Sequence, residues 1–280
     1  MAEKSQPSVN YRTWPVILAL TIVSLPLVLM YIYLFIDTIT DKQPASLIPD
    51  SITFRHWSFL WQTPPGKPNI WLVTLNTLIF TASTTSVVLL VSSMAGYVLS
   101  RLNVPARGFF LAGVMVLHAF PSVTLIIAIF IVLQMVGLYN SLIGVILVKA
   151  AIDLPLGIWL MKGFYDVVPW EIEMAGVVDG ASRFRVWRSL VLPQVRPAIM
   201  ALALFSFLSG WGEFILPQVL APSGRVQVLS VYLAGLIADD NNFNFGTFKA
   251  VGVFYVIPVL LLYGFFHKHL MNIYGGGSKG

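Results

Sequence analysis

The feature that most constrains this chain is a run of 23 residues, Trp14 to Ile36, without a single charged side chain. The hydrocarbon core of a bilayer is about 30 Å thick, and a helix of about 20 apolar residues crosses it. Five more such stretches follow, at about 70–99, 109–133, 138–161, 198–216 and 250–267. The expectation is an all-α integral membrane protein of six transmembrane helices, forming one bundle over 14–271. A polar head (1–13) and a polar tail (272–280) flank it, and a long polar loop (162–197) separates the fourth and fifth spans. Only 10% of the 280 residues are charged, against about 25% in a soluble domain, too few to cover a water-facing surface.

The first span is too long for the apolar region of a cleavable signal, and no small-x-small site follows it, so a retained anchor is expected. Pro121 and Pro155 fall inside the third and fourth spans, where neighbouring helices can satisfy the carbonyls they free. The absence of cysteine excludes a disulfide framework, a thiol nucleophile and any Cys-based metal site.

Lys and Arg concentrate on the cytoplasmic side of membrane proteins. With the N-terminus inside, the inner segments hold Lys4, Arg12, Arg101, Arg107, Lys162, Arg183, Arg185, Arg188, Arg196, Lys268 and Lys279. The outer ones hold only Lys42, Arg55, Lys67, Arg225 and Lys249. Both termini and the 162–197 loop are therefore expected in the cytoplasm. The same distribution accounts for the net charge of +5 without nucleic acid, because no basic face with stacking aromatics occurs on a soluble element.

Within that loop, "PWEIEMAGVVDGASRFRVWRSLVLP" (169–193) has the punctuation of two short helices. Pro169 suits a first helical turn, and Glu171 and Glu173 sit where the helix dipole favours acids. Gly180, after Asp179, ends the first helix, and Ser182 can cap the second, which carries Arg183, Arg185 and Arg188. Pro193 and Pro197 are expected to break that helix and lead into the fifth span. An interfacial amphipathic loop that only positions the spans and a rigid docking knob for a soluble partner both fit this pattern.

The spacing resembles the EAA loop of ABC-importer permeases: E-A-A, three residues, G, nine residues, I-x-L-P. Gly180 matches the glycine, and Leu190, Leu192 and Pro193 fill the closing positions conservatively. The Glu-Ala-Ala core appears as Met174-Ala175-Gly176, with Glu173 one place earlier. "NTLIFTASTT" (from Asn76), "GYVLSRL" (from Gly96), Phe120-Pro121, "LPLGIWLMKGFYDVVPWEIE" (from Leu154) and "GWGEFILP" (from Gly210) are also similar to maltose-type sugar permeases, of the second-subunit type.

The resemblance implies a bacterial cytoplasmic (inner) membrane importer of a sugar or polyol-like solute. In it this chain pairs with a second permease subunit as a heterodimer, with two cytoplasmic ATP-binding subunits and an external solute-binding protein. It implies a coupling role for Glu171, Glu173, Ala175, Gly176, Asp179, Gly180, Ala181, Ser182, Arg183, Leu190, Leu192 and Pro193. It also suggests that the tail, Gly277, Ser278, Lys279 and Gly280, reaches the ATPase.

The chain has no G-x-x-x-x-G-K-[ST] loop, so ATP and Mg are expected on the partner and no cofactor on this subunit. No His/Asp/Glu set has metal-ligand spacing, and no catalytic triad is legible, so neither a metal site nor an enzyme is expected. Polar groups inside spans are costly and often functional. Lys149 and Asp153, four apart in the fourth span, are expected to pair. Asn76, Trp211, Glu213 and Phe214 are candidates for the translocation path, with Glu213 placed inside the fifth helix. The competing class is a self-contained ion-coupled secondary transporter, for which the Lys149–Asp153 pair is the best argument; the inverted repeats usual there are not apparent.

Overall fold

Long uncharged runs become long helices. The computed structural model describes residues 13–41, 49–238 and 244–275, with side chains described within 14–265. The first elements are α1 (Thr13–Thr38), β1 (Thr40–Asp41), β2 (Ser51–Ile52) and a 3-10 turn (Arg55–Leu60). Then come α2 (Ile70–Arg101), α3 (Arg107–Ala119), α4 (Ser122–Met135) and α5 (Leu142–Val167). The polar loop holds α6 (Trp170–Val178), α7 (Arg183–Val186), a π turn (Trp187–Val191) and α8 (Leu192–Gln194). Last are α9 (Arg196–Trp211), α10 (Ile215–Leu220), α11 (Leu229–Ile237) and α12 (Phe245–Gly275).

The chain divides into two compact units. The first comprises residues 1–58 and 244–253. In it β1 and β2 pair antiparallel, with Thr40 opposite Ile52 and Asp41 opposite Ser51. Asp37, at the end of α1, is buried in an ion pair with Lys249, whose ammonium also lies 4.2 Å from the centre of the Phe245 ring. Asp41 takes Arg55 at 2.9 Å and His56 at 3.3 Å. Asn244 caps α12 by accepting the Thr247 N–H, which moves the start of this helix five residues ahead of the expected 250.

The second unit holds the main core. Its axis is α2, 32 residues and about 48 Å long. Small residues let α5 and α9 approach it closely, as in other membrane bundles. A Cβ on Gly96 would stand 2.8 Å from Met161 Cβ, and one on Gly157 would strike the Ser92 hydroxyl. One apolar cluster gathers Phe80, Leu133, Val145, Ile146, Leu216, Leu220 and Val228 around the first half of α2. Another gathers Val88, Tyr97, Met161, Tyr165, Val186, Val191 and Leu202 around its second half. In the "TASTTS" stretch two hydroxyls turn back on their own helix, Thr81 donating to Thr77 O and Ser86 to Ala82 O, while those of Thr84 and Thr85 are buried without a hydrogen-bond partner among the described residues.

Among the described residues, four helices are long and apolar enough to cross a bilayer: α1 from Trp14, α2, α5 and α12. Two bent pairs raise the number to six if each counts as one span. The expected third span is one of them, since α3 and α4 meet at 97° rather than running as one helix. Phe120, before Pro121, is held extended at φ −75° and ψ 127°, because a proline ring disfavours helical backbone in the residue preceding it. The expected fifth span is α9, 16 residues, followed after a break by α10. The fourth begins at Leu142, not 138, since Gly137 and Asn140 take positive φ and Ser141 caps the helix through the Gly144 N–H. That helix runs on to Val167, so the first residues assigned to the polar loop, Lys162 to Val167, are helical. Pro155 lies within α5 without ending it.

Candidate functional site

The segment 169–193 folds as two short helices about a glycine turn. Pro169 precedes α6 as its cap rather than sitting in its first turn. Glu171 and Glu173 occupy that turn, facing the positive end of the helix dipole. At the other end Gly180 N–H donates to Val177 O (3.0 Å) and Ala181 N–H to Gly176 O (3.0 Å). This pair of bonds is a Schellman closure, which requires a left-handed residue between them. Gly180, at φ +77°, supplies it. Ser182 then accepts the Arg185 N–H and starts α7.

Pro193 does not break the second helix, contrary to expectation. A proline inside a helix clashes with the carbonyl four residues back. The turn before it is widened instead: Leu192 N–H bonds to Trp187 O, five residues away, and the helical run continues to Gln194. The break falls at Val195, and Pro197 sits in the first turn of α9. The run Arg183–Gln194 meets α9 at 78°.

What fixes this unit to the bundle is charge buried under α6. Glu173, expected on the docking surface, is instead 0% exposed. It accepts from Tyr97 Oη at 2.8 Å and pairs with Arg183 at 3.2 Å and Arg101 at 3.5 Å. Arg101 also donates to the carbonyls of Tyr165 (2.7 Å) and Val168 (2.5 Å), capping the end of α5. Its guanidinium lies 4.7 Å from the centre of the Trp170 ring. One arginine at the end of α2 thus ties together α2, α5 and α6. Tyr165 Oη, bonded to Ser93 (2.8 Å) and accepting from Trp187 Nε1 (3.1 Å), extends the polar seam to the π turn.

Gly176 is likewise buried: a Cβ there would meet Leu190 Cδ1 at 2.6 Å and Val186 Cγ2 at 3.0 Å. The expected coupling residues therefore sort into two sets. Glu171, Ala175, Asp179, Gly180, Ser182 and Arg183 are exposed. Glu173, Gly176, Ala181, Leu190, Leu192 and Pro193 are wholly or partly buried, and Ala181, Leu190 and Leu192 pack on the core of α2, α5 and α9. The tail residues Gly277 to Gly280 lie outside the described residues.

A second polar group sits deeper, where the two apolar clusters meet along α5. Lys149 pairs with Asp153 at 3.1 Å, as the i, i+4 spacing led one to expect. It also reaches Glu213 at 3.2 Å and donates to Ser209 Oγ at 2.8 Å. Glu213 does not lie within the fifth helix: α9 stops at Trp211, and Glu213 occupies the break before α10, where its carboxylate accepts the Leu216 N–H. Its own carbonyl accepts from Ser230 at 2.6 Å. The ammonium therefore holds α5 to the α9–α10 break.

The remaining path candidates part company. Asn76 is buried and spends its amide on the carbonyls of Arg225 (2.9 Å) and Gln227 (3.1 Å), so it tethers a loop. Trp211 is buried, stacked on Phe207, and donates to Tyr255 O at 3.1 Å. Phe214 is exposed and lines a cleft of about 340 Å³ with Gln218, Gln227 and Val231. Tyr97, Tyr165, Trp187 and Ser209 escaped the sequence reading; only the positions of Tyr97 and Arg101, four residues apart in "GYVLSRL", hinted at a polar end to α2.

The model of the family of binding-protein-dependent transport system inner membrane components matches residues 88–271, a range that takes in both polar sites. The chain belongs to that family. Among relatives of this permease, the diacetylchitobiose uptake system permease protein DasC of Streptomyces coelicolor is 27% identical over 96% of this chain and 98% of its own length. The maltodextrin transport system permease protein MalD of Streptococcus pneumoniae is 30% identical over 74% of each chain. A chain from the crystal structure of a bacterial ABC transporter importing the acidic polysaccharide alginate superposes with a TM-score of 0.77. That match covers 94% of the permease and 99% of the other chain at 22% identity, so it speaks for the fold. The permease is thus a multi-pass inner-membrane subunit of a binding-protein-dependent ABC importer, working with partner subunits. Family membership favours this over a self-contained secondary transporter.

Proposed function

We propose that this permease carries a sugar or polyol-like solute, delivered by an external binding protein, and that residues 169–193 are where ATP-driven movement enters the bundle. The observation that carries the reading is the Schellman turn at Gly180 between two short helices, seated on the cores of α2, α5 and α9. A rigid knob of this kind transmits displacement, because Glu173 and Arg101 bind α6 to the ends of α2 and α5. Sugar-importer permeases among the relatives support the solute class.

In this reading the partners are a second permease subunit, forming a heterodimer, and two cytoplasmic ATPase subunits that hold ATP and Mg; this chain binds no cofactor. Both termini and the 169–193 segment face the cytoplasm, and the bundle spans 14–271. Glu213 and Phe214, at the α9–α10 break, border the path, while Lys149–Asp153 holds it in shape. The tail reaches the ATPase.

The test is reconstitution of the complete importer in proteoliposomes, with binding protein, ATP and a panel of sugars and polyols. Uptake should require ATP and all subunits. Gly180→Val, which forces a β-branched side chain into positive φ, should abolish binding-protein-stimulated ATPase activity while leaving the permease pair assembled. Solute uptake by this chain alone without ATP would overturn the proposal.

A further inference from the structure

Beside the break that holds Glu213, α10, α11 and the loop between them enclose the cleft of about 340 Å³ that Phe214 borders. Its walls are pinned from outside. Asn76 holds the loop by the carbonyls of Arg225 and Gln227, and Thr77 Oγ1 accepts the Leu229 N–H at 2.8 Å. Ser230 donates to Glu213 O, Asn140 accepts the Ser223 N–H at 3.0 Å, and Lys67 donates to Gly235 O at 2.9 Å.

The side chains left over in the cleft share one chemistry. Phe214 is 39% exposed and packs against no other ring among the described residues. The side-chain amides of Gln218 and Gln227 make no hydrogen bond among the described residues. Pro222, Val231 and Ala234 add apolar surface, and no charged side chain is among the lining residues. The neighbouring Glu213 carboxylate is already held by Lys149 and the Leu216 N–H.

We propose that this cleft is a solute subsite for one uncharged sugar ring, with Phe214 against the ring's C–H face and the Gln218 and Gln227 amides on its hydroxyls. The proposal rests on the reading of the chain as a sugar or polyol permease, and narrows the solute to a neutral pyranose. An amide carries both donors and an acceptor, which suits a hydroxyl that does both, and the negative face of an aromatic ring suits C–H groups. An anionic solute would lose its water and find no cation in the lining. Small-molecule sites begin at about 300 Å³, so the cleft takes a single ring and not a whole oligosaccharide. Lipid is a poor occupant, since unmet amides facing hydrocarbon are costly. Pinned walls spare the solute the cost of ordering the loop.

The test uses the complete importer in proteoliposomes with its binding protein, ATP and radiolabelled maltose, trehalose, N,N′-diacetylchitobiose, glucuronate and sorbitol. Gln218→Ala with Gln227→Ala should lower uptake of the best neutral sugar at least fivefold, with assembly and melting temperature unchanged. Each lost hydrogen bond is worth roughly two- to twelvefold. Phe214→Leu should lower uptake threefold or more, and Phe214→Tyr, which keeps the ring, should stay within twofold of the wild type. The chain has no cysteine, so Gln218→Cys gives it one labelling site when the other subunits are cysteine-free. That site should react with a membrane-impermeant maleimide while binding protein and ATP are present. Uptake within twofold of wild type in the double glutamine variant overturns the subsite, as does equal damage from Phe214→Tyr and Phe214→Leu. So does a wild type that takes glucuronate fastest, or an unreactive Gln218→Cys site, which would mean that the second permease or lipid covers the cleft. If the wild-type importer moves none of the panel, the sugar reading beneath the proposal fails, and the subsite with it.

Discussion

Replacing Glu173 by glutamine isolates the charge that locks α6 to the bundle. Breaking a buried ion pair from one side costs about 3–5 kcal/mol, because the remaining charge is left uncompensated. Glu173 is 0% and Arg101 2% exposed at the side chain, so the pair qualifies. The low end applies here, for two reasons. Arg101 keeps the carbonyls of Tyr165 and Val168 and the face of Trp170, and glutamine still offers Tyr97 an acceptor. Arg183 is more than half exposed, and a pair with so exposed a partner adds only about 0–1 kcal/mol. The expected loss is therefore about 3 kcal/mol, or roughly 6–12 °C in melting temperature at about 2–4 °C per kcal/mol. Scanning fluorimetry of the purified complex reads it directly. Combining Glu173→Gln with Arg101→Met should destabilise less than the sum of the single changes, by about 1–3 kcal/mol. A fall of less than about 2 °C for Glu173→Gln, or strict additivity in the double variant, would refute the claim that these two charges depend on each other.

Lys149→Met should leave Asp153 and Glu213 facing each other without a cation and destabilise by about 3–5 kcal/mol. Adding Asp153→Asn and Glu213→Gln should recover most of it, and thermal unfolding of the three variants checks this. Gly176→Val should push α6 off Leu190 and Val186, costing about 1–3 kcal/mol and lowering binding-protein-stimulated ATPase activity more than basal assembly. Gly96→Leu should separate α2 from α5 at Met161, and loss of the folded subunit from detergent extracts measures it. Gly180→Asn should be far milder than Gly180→Val, since asparagine tolerates the left-handed conformation; equal damage from both would show that space, not backbone, limits that site.

How much of this was legible in the chain follows from the range of each interaction. The Gly180 turn, the Ser182 cap and the Lys149–Asp153 pair are local, written within a few residues, and all three were read correctly. Helix lengths near prolines were read less well. A proline inside an apolar run can be absorbed, as Pro155 is in α5, bent at 97°, as at Pro121, or met by a widened turn, as at Pro193. Which of these occurs depends on neighbours that the local sequence does not name. The orientation of Glu173 was illegible for the same reason: its partners Tyr97 and Arg101 lie on another helix, 76 and 72 residues away by their numbers. Glu213 was misplaced because nothing in "GWGEF" distinguishes a helix interior from a break held open by a lysine on α5.

The long reach of that buried network also bears on how the subunit is made. Tyr97 and Glu173 are 76 residues apart. At synthesis rates of about 5–20 residues per second, roughly 4–15 s separate their emergence from the ribosome. Over that interval α2 ends in a guanidinium whose carboxylate partner has not yet been made, and the α5 carbonyls it will cap, on Tyr165 and Val168, arrive less than about 2 s before that partner. The latch between the first long rod of the core and the two-helix knob of 169–193 therefore closes late, so the nascent permease passes through a stage in which the rod is made and the knob is still free.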